Sequence, residues 1–152
     1  MNPAQAPTQA QMLPLLPCAC ANLRRAARAV TRLYNGELQP RGIEITQFTL
    51  LMTLDQTGEI SQGKLGHLLA LDSTSLTRML KPLEKREWIR TRIGEDRRHR
   101  FLRLTPTGRR KLKEFLPHWE RAQRRLLQGL GGPSWSQMGE LLAQITRTSV
   151  GE

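Results

Sequence analysis

Residues 61–105 read SQGKLGHLLALDSTSLTRMLKPLEKREWIRTRIGEDRRHRFLRLT, and this stretch decides the fold of the chain. Ser61 and Asp72 are residue types that cap helix N-termini, and apolar residues follow each of them at helical spacing. The predicted apolar positions are Leu65, Leu68 and Leu69 in the first helix and Leu76, Met79, Leu80 and Leu83 in the second. Two short helices joined by a tight turn are typical of a helix-turn-helix unit.

A basic hairpin is predicted directly after the second helix. Residues 88–92 and 99–104 alternate between apolar and polar side chains, as paired strands do. Residues 93–98, between them, supply a glycine turn and a cluster of arginines. A second helix that enters the major groove and a wing that follows the backbone or minor groove form a DNA-docking arrangement.

The side of the second helix that faces away from its apolar residues carries hydroxyls and cations without a carboxylate. The predicted DNA contacts there are Ser73, Thr74, Ser75, Thr77, Arg78 and Lys81. An arginine fork fits guanine edges, and small hydroxyls approach bases and backbone closely. Arg97 and Arg98 in the wing turn are predicted to contact a narrow minor groove, whose potential favours cations. For Arg90 and Arg92 the sequence leaves two alternatives: solvated charges on a strand, or contacts to DNA.

The run LDSTSLTRMLKPLEKREWIRTRIGEDRRHRFLRLTPTGR resembles the recognition helix and wing of the MarR family of bacterial transcription regulators. The resemblance covers about residues 18–130, and its most specific part is residues 96–98 followed by residues 104–108. It implies a homodimer that binds double-stranded DNA at a pseudo-palindromic site and is released by a small molecule or an oxidant. It also implies that Asp96 orients a wing arginine, and that a ligand pocket lies between the DNA-binding lobe and the dimer helices.

The charge of the chain supports a nucleic-acid partner. The 152 residues include 24 Lys and Arg against 13 Asp and Glu, a formal net charge of +11. Residues 61–110 hold 13 of the cations and 5 of the acids, so this third of the chain carries +8. A non-specific, basic structural protein that binds nucleic acid is the alternative of a different class. The aromatic content of 5% argues against single-strand stacking platforms.

Catalytic and metal chemistry have no recognisable motif in the sequence. The three histidines are separated and share no ligand spacing with the two cysteines, and no phosphate-binding glycine loop or nucleophile with a base is evident. We therefore expect no enzyme activity, no metal and no cofactor. No run approaches the roughly 20 apolar residues of a membrane span, and the N-terminus lacks the pattern of a signal peptide. We expect a cytoplasmic protein.

The predicted fold is mainly α: a winged helix-turn-helix lobe with a small antiparallel β-wing, plus N- and C-terminal dimerisation helices. Residues 1–17, rich in Ala, Gln and Pro, are expected to form a flexible arm, and residues 18–152 one domain. Within it, residues 18–45 and 106–152 form the dimerisation helices and residues 46–105 the lobe.

Local signals set several boundaries in this domain. Thr46, Thr105 and Ser134 are predicted caps, and Pro106 fits the first position of a helix. The link at residues 58–60 could pair with the wing as a third strand. Pro82 is expected to bend the second helix of the helix-turn-helix unit.

Cys18 and Cys20 are candidate redox-sensing residues near the start of the first helix. A helix N-terminus favours a thiolate. Two residues apart on a helix, the two thiols would point to nearly opposite sides, which disfavours a Cys18–Cys20 disulfide. The resemblance adds that Cys20 and Tyr34 occupy the positions of a reactive cysteine and its tyrosine partner in the organic-hydroperoxide regulators of the family. Leu23 and Arg28 also match that branch, whereas Arg24 and Ile45 stand where it has two further tyrosines.

The function predicted from these features is that of a sequence-specific DNA-binding repressor released by a small aromatic ligand. The alternative signal is an oxidant that acts on Cys20.

Overall fold

The computed structural model describes residues 14–131 and 134–150, and within them the chain is mainly helical, as predicted. The helices are α1 (Ala19–Leu38), α2 (Ile45–Thr57), α3 (Gln62–Leu68), α4 (Ser73–Lys85), α5 (Pro106–Leu130) and α6 (Ser134–Val150). The strands are β1 (Ile60–Ser61), β2 (Ile89–Ile93) and β3 (Arg100–Leu104). A single 3₁₀ turn, Gln39–Arg41, follows α1. The arm predicted for residues 1–17 lies outside the described residues, except for 14–17.

The wing is a three-stranded antiparallel sheet in the order β1-β3-β2. Ile60 pairs with Leu102, which confirms the third strand predicted after α2. Both hairpin strands begin one residue later than predicted. Trp88 directly precedes β2: its ring is buried against Phe115, at 5.6 Å between centroids, and its amide donates to the Leu83 carbonyl of α4.

Three of the predicted helix caps are confirmed by hydrogen bonds. The Ser61 hydroxyl accepts from the Lys64 amide at 3.3 Å, and the Asp72 carboxylate from the Ser75 amide at 2.8 Å. The Thr105 hydroxyl accepts from the Gly108 amide at 2.9 Å. Each cap satisfies an amide that has no partner within its own helix. These caps fix the starts of α3, α4 and α5.

Two predicted caps are wrong. Glu44 rather than Thr46 precedes α2, and the amide of Ile45 donates to Asn35 Oδ1 of α1 at 2.8 Å. Gln47 Oε1 accepts from the Glu44 amide at 3.3 Å, so a local capping box and a side chain from another helix together satisfy the start of α2. Ser134 is the first residue of α6 rather than its cap, and its hydroxyl donates to the Leu130 carbonyl at 3.1 Å.

Helix α1 ends before residue 45, the predicted end of the first dimerisation segment. It continues through Asn35 and Gly36 to Leu38. The chain then reverses at Gly42, whose φ of +83° is readily adopted only by glycine. Helices α4 and α5 continue through Pro82 and Pro117, respectively.

The core lies inside the winged lobe and at its junction with α1 and α5. Phe48 of α2 is fully buried and stacks on Trp119 of α5, with 5.9 Å between ring centroids. Leu76, Leu80 and Leu83 of α4 are buried as predicted. Leu68, predicted to be apolar core, is exposed because α3 ends there.

Apolar side chains of α6 remain uncovered within one chain. Trp135, Leu141 and Leu142 are 48%, 57% and 46% exposed. In the part of the chain that the structure describes, no helix has the length and apolar character needed to cross a membrane.

Candidate nucleic-acid interface

A groove of about 880 Å³ lies between the helix-turn-helix unit and the wing, and we call it the α4–wing groove. Its polar lining includes Lys64 of α3, Ser73 and Thr77 of α4, and Arg98 and Arg100 of the wing. The capped N-termini of α3 and α4 place the first turns of both helices beside the wing. The structure thus brings hydroxyls and cations from three elements to one concave surface.

The candidate contacts on α4 occupy the side of the helix that faces away from the core. Ser73, Thr74, Thr77, Arg78 and Lys81 are all exposed. They recur at spacings of three and four residues, which place side chains on one face of a helix. Their exposure and common orientation make this face available to a partner.

Ser75 has a different role from the other α4 hydroxyls. It is half-buried, and its hydroxyl donates to Asp72 Oδ2 at 2.6 Å. The hydrogen bonds from the Ser75 side chain and amide hold the pKa of Asp72 below its ordinary value. Ser75 therefore belongs to the cap that holds the start of α4.

The turn of the wing is held by a small hydrogen-bond network. The Gly94 amide donates to the His99 carbonyl at 2.8 Å, and the Arg98 amide donates to Asp96 Oδ1 at 2.9 Å. Asp96 Oδ2 lies 3.4 Å from His99 Nδ1. The Asp96 carboxylate thus contacts the backbone amide of Arg98 and not the guanidinium of that arginine. Arg97 and Arg98 are exposed at this turn.

Arg92 crosses the outer face of the sheet. Its guanidinium passes over the Phe101 ring, 4.9 Å from the centroid, and reaches Glu59 Oε1 at 2.6 Å. Glu59 directly precedes β1, so this side chain connects both outer strands across the central one. The hydrogen bond to Arg92 lowers the pKa of Glu59. Arg92 is thus engaged within the wing rather than left as a solvated charge.

Gln62, Lys64 and Arg100 were not predicted as part of this surface. The Gln62 amide donates to the Thr77 hydroxyl at 3.1 Å, which joins the first turn of α3 to α4. Lys64 and Arg100 line the α4–wing groove. The sequence signal that could have found Gln62 and Lys64 is the cap at Ser61, because it places residues 62–64 at a helix N-terminus beside α4.

Of the candidate redox-sensing residues, Tyr34 lies far from the two cysteines within one chain. Cys18 and Cys20 are exposed at the start of α1, whereas Tyr34 is buried and its hydroxyl donates to Gln123 Oε1 of α5. Fourteen residues of helix separate Cys20 from Tyr34, about 21 Å at about 1.5 Å per residue. Burial raises the pKa of Tyr34. A Cys20–Tyr34 contact within one chain is therefore excluded.

Cys18 precedes α1 in an extended conformation, with φ −120° and ψ 117°. It was predicted to lie within the helix, where it would point away from Cys20. That argument against a Cys18–Cys20 disulfide therefore fails. Among the described residues, no group of three or more His, Cys, Asp or Glu side chains could hold a metal ion.

The fold and the α4–wing groove define a winged helix-turn-helix protein. The chain superimposes on the transcriptional regulator MosR of M. tuberculosis, in a crystal structure with DNA, with a TM-score of 0.78 at 28% identity. That match covers 87% of this chain and 96% of that chain. A probable transcriptional regulator from Pseudomonas aeruginosa gives a TM-score of 0.75 at 27% identity, covering 85% of this chain and 97% of that one.

The sequence comparisons identify the family. The profile of the MarR family matches residues 43–99. The transcriptional repressor MprA of Escherichia coli is 35% identical over 116 residues, which span 74% of this chain and 64% of MprA. The uncharacterized HTH-type transcriptional regulator YwoH of Bacillus subtilis is 29% identical over 93 residues, 61% of this chain and 68% of YwoH. Residues 43–99 thus match the MarR family, and the described chain has the fold of winged helix-turn-helix transcription regulators.

Proposed function

We propose that the protein is a dimeric repressor that binds a pseudo-palindromic site on double-stranded DNA. In each subunit α4 enters the major groove and the wing turn approaches the adjacent minor groove. The observation that carries this proposal is the α4–wing groove, where hydroxyls and cations from α3, α4 and the wing form one exposed surface. The DNA complex of MosR and the repressor MprA support the same reading by similarity.

Arg78 and Lys81 are proposed to contact bases or phosphates in the major groove, and Arg97 and Arg98 to contact the minor groove. Ser73, Thr74 and Thr77 approach the backbone or base edges, while Ser75 and Asp96 hold the contacting segments in place. Base contacts give sequence preference, whereas phosphate contacts give affinity that depends on salt. The two groups of residues should therefore be separable by experiment.

Arg78→Ala is expected to weaken binding by about 1–3 kcal/mol and to relax the base preference at one position, if the Arg78 guanidinium donates two hydrogen bonds to guanine. Arg97→Ala and Arg98→Ala are expected to weaken binding to all sequences and to reduce the salt dependence. Fluorescence anisotropy with a selected operator and its single-base variants measures both effects. The matched control is Arg124→Ala, an exposed arginine of α5 that pairs with Glu120. Equal, negligible losses for all three test variants would place the DNA surface elsewhere.

The dimer is proposed to form through the terminal helices, residues 18–45 and 106–152, and the lobe, residues 46–105, to bind DNA. The exposed Trp135, Leu141 and Leu142 of α6 give this division its support. A two-fold axis would place two equal α4 helices about 10 base pairs apart, one turn of DNA.

The signal that releases the DNA is proposed to be a small aromatic ligand. A cleft of about 390 Å³ lies between the C-terminal part of α6 and residues 66–71, which form the end of α3 and the turn towards α4. A ligand there would contact both the dimerisation and DNA-binding parts of the chain. Titrating the operator complex with a series of phenolic carboxylates tests this, and no release by any of them at millimolar concentration would count against it.

Oxidation of Cys20 is the second candidate signal, favoured by the exposure of both thiols. A hydroperoxide would oxidise the thiolate to a sulfenic acid and would itself be reduced to the alcohol. DNA affinity before and after treatment with cumene hydroperoxide is compared for the native chain, Cys20→Ser and Cys18→Ser. A native protein that keeps its operator after oxidation, or a Cys20→Ser variant that loses it equally, would remove this candidate.

A non-specific structural role remains the rival of a different class. Competition between the selected operator and bulk DNA separates the two, since specific binders prefer their site by about 10³-fold or more. Equal competition by both DNAs would favour the structural role.

A further inference from the structure

A second basic surface lies at the base of the wing. Arg90 of β2 and Arg103 of β3 are directly opposite each other in the antiparallel register. Like charges in this position repel and destabilise a sheet. Among the described residues neither guanidinium makes an ion pair, although Glu59, which binds Arg92, also attracts Arg103 at longer range. The sheet therefore carries a cross-strand pair of cations that no ion pair in the described part of the chain neutralises.

The start of α5 adds cations to the same surface. Arg109, Arg110 and Lys113 follow the Thr105 cap, and the first turn of the helix contains no acid. The positive end of a helix dipole disfavours cations and favours anions. Arg109 pairs with Asp55 at 3.0 Å, but no carboxylate pairs with Lys113 in the described part of the chain. Two independent features, the cross-strand pair and the helix start, thus attract an anion to this place.

These five cations line one cleft of about 560 Å³, which we call the wing-base cleft. None of the described residues lining it carries a carboxylate. The volume is within the range of about 300–1,000 Å³ found for small-molecule sites. A single small anion would leave most of these cations uncompensated, so the cleft fits an anion with several charges.

The wing-base cleft is separate from the α4–wing groove. Arg100 lines the groove, whereas Arg103, three residues along the same strand, lines the cleft. Successive side chains of a strand point to opposite faces, so residues 100 and 103 lie on opposite faces of the sheet. They are also roughly 10 Å apart along it. A DNA duplex in the α4–wing groove would therefore leave the cleft on the other face.

We propose that the wing-base cleft binds a multiply charged phosphate anion. Arginine side chains hold phosphate oxygens through paired N–H donors, and a row of arginines suits a chain of phosphates. The phosphates belong either to a free oligophosphate group or to DNA that flanks the operator. In both cases the anion offsets the repulsion between Arg90 and Arg103.

Calorimetric titration of the full chain with inorganic triphosphate at about 0.15 M salt tests the proposal, since such salt screens weak surface attraction. The test variant is Arg90→Gln/Arg103→Gln. The matched control is Arg97→Gln/Arg98→Gln, which removes the same charge from the turn of the same wing. We expect saturable binding that weakens at least about tenfold in the test variant and by less than about twofold in the control. Equal weakening in both variants, or no saturable binding to the native chain, would overturn the proposal.

Thermal unfolding gives a second readout. Triphosphate should raise the Tm of the native chain and of the control variant, but not that of Arg90→Gln/Arg103→Gln, because a bound ligand stabilises the folded state. Without triphosphate the test variant should unfold at the same temperature as the native chain or higher, since the cross-strand repulsion is gone. A clearly lower Tm would show that the pair is stabilising and would contradict the premise.

Operator duplexes with and without about 10 base pairs of extra flanking DNA, one helical turn, distinguish the two phosphate sources. Triphosphate that still binds the DNA complex identifies a free oligophosphate site. Flanking DNA that displaces triphosphate and tightens operator binding by the native chain, but not by the test variant, identifies the DNA backbone as the source of the phosphates. The control variant loses operator affinity while keeping triphosphate, so failure of the cleft and failure of the DNA surface are distinguishable.

Discussion

The winged lobe and helix α6 differ in how far one chain buries their apolar residues. Leu76, Leu83 and Leu102 of the lobe are at most 1% exposed within a single chain. Trp135, Leu141 and Leu142 of α6 remain about half exposed. The lobe thus buries these residues within one chain, with help from α1 and α5, whereas α6 has an apolar surface that the described part of its chain does not cover. This difference indicates that α6 needs a second surface, which we propose to be another subunit.

Leu83→Ala and Leu141→Ala give the largest expected contrast. Truncating fully buried Leu83 should cost about 2–5 kcal/mol of unfolding free energy, because it removes apolar contacts and leaves a cavity. Leu141→Ala should instead weaken the dimer, so its effect on Tm should depend on protein concentration. Thermal melts over a wide concentration range measure both. A concentration-independent effect of Leu141→Ala would contradict a role of α6 in the dimer.

Gly108→Ala tests the junction between the lobe and α5. A Cβ atom at Gly108 would lie 2.0 Å from the Trp88 carbonyl oxygen and 2.9 Å from Leu104 Cδ1, so backbone would have to move. Overpacking of this kind costs about 1–3 kcal/mol or more. Gly36→Ala in α1 is the control, since nothing lies within 4 Å of its added Cβ. It should be neutral or stabilising by up to about 1 kcal/mol. Equal melting temperatures for the two variants would refute the close approach.

Asp72 should give a smaller effect that depends on pH. Asp72→Ala removes the cap of α4 and should lower the Tm, whereas Asp72→Asn keeps a capping oxygen. Because the hydrogen bonds from Ser75 lower the folded-state pKa of Asp72, the charge stabilises the fold fully above its ordinary pKa of 3.8. This contribution is lost as the pH falls through the lowered folded pKa. Melts in acid should therefore show the native and Asp72→Asn curves converging, and a gap that widens in acid would refute the assignment.

Arg92→Ala should give the smallest change. Its partner Glu59 is exposed, and exposed ion pairs contribute little to stability. We expect a slight decrease in Tm and increased motion at the wing turn, measured by amide hydrogen exchange of residues 93–99. Arg90→Ala is the control on the same strand and should not increase that exchange. Equal exchange in both variants would show that Arg92 does not hold the wing.

The sequence predicted the parts of the structure that depend on neighbouring residues. Ser61, Asp72 and Thr105 cap their helices because the amides that they accept from are three residues away. Glu44 was missed as the residue preceding α2 although its capping box with Gln47 is local, because Thr46 is the more common type of cap. The bond from the Ile45 amide to Asn35 could not be predicted from spacing, because it depends on the packing of α1 against α2.

The candidate site shows the same limit. Exposure of Ser73, Thr74 and Thr77 followed from the periodicity of α4, whereas the bond that holds half-buried Ser75 against Asp72 did not. The bond from Gln62 to Thr77 and the reach of Arg92 to Glu59 could not be predicted, because they depend on the packing of α3 against α4 and on strand order. The repulsive pair of Arg90 and Arg103 also appears only when the register of the hairpin is known.

Hydroxyl-radical footprinting on a duplex selected by the protein tests the central claim most directly. If two dyad-related subunits each present the α4–wing groove, two equivalent protected segments should appear with centres about 10 base pairs apart. Minor-groove protection at their outer edges should disappear with Arg97→Ala/Arg98→Ala. A single isolated half-site, or uniform protection without register, would contradict the account.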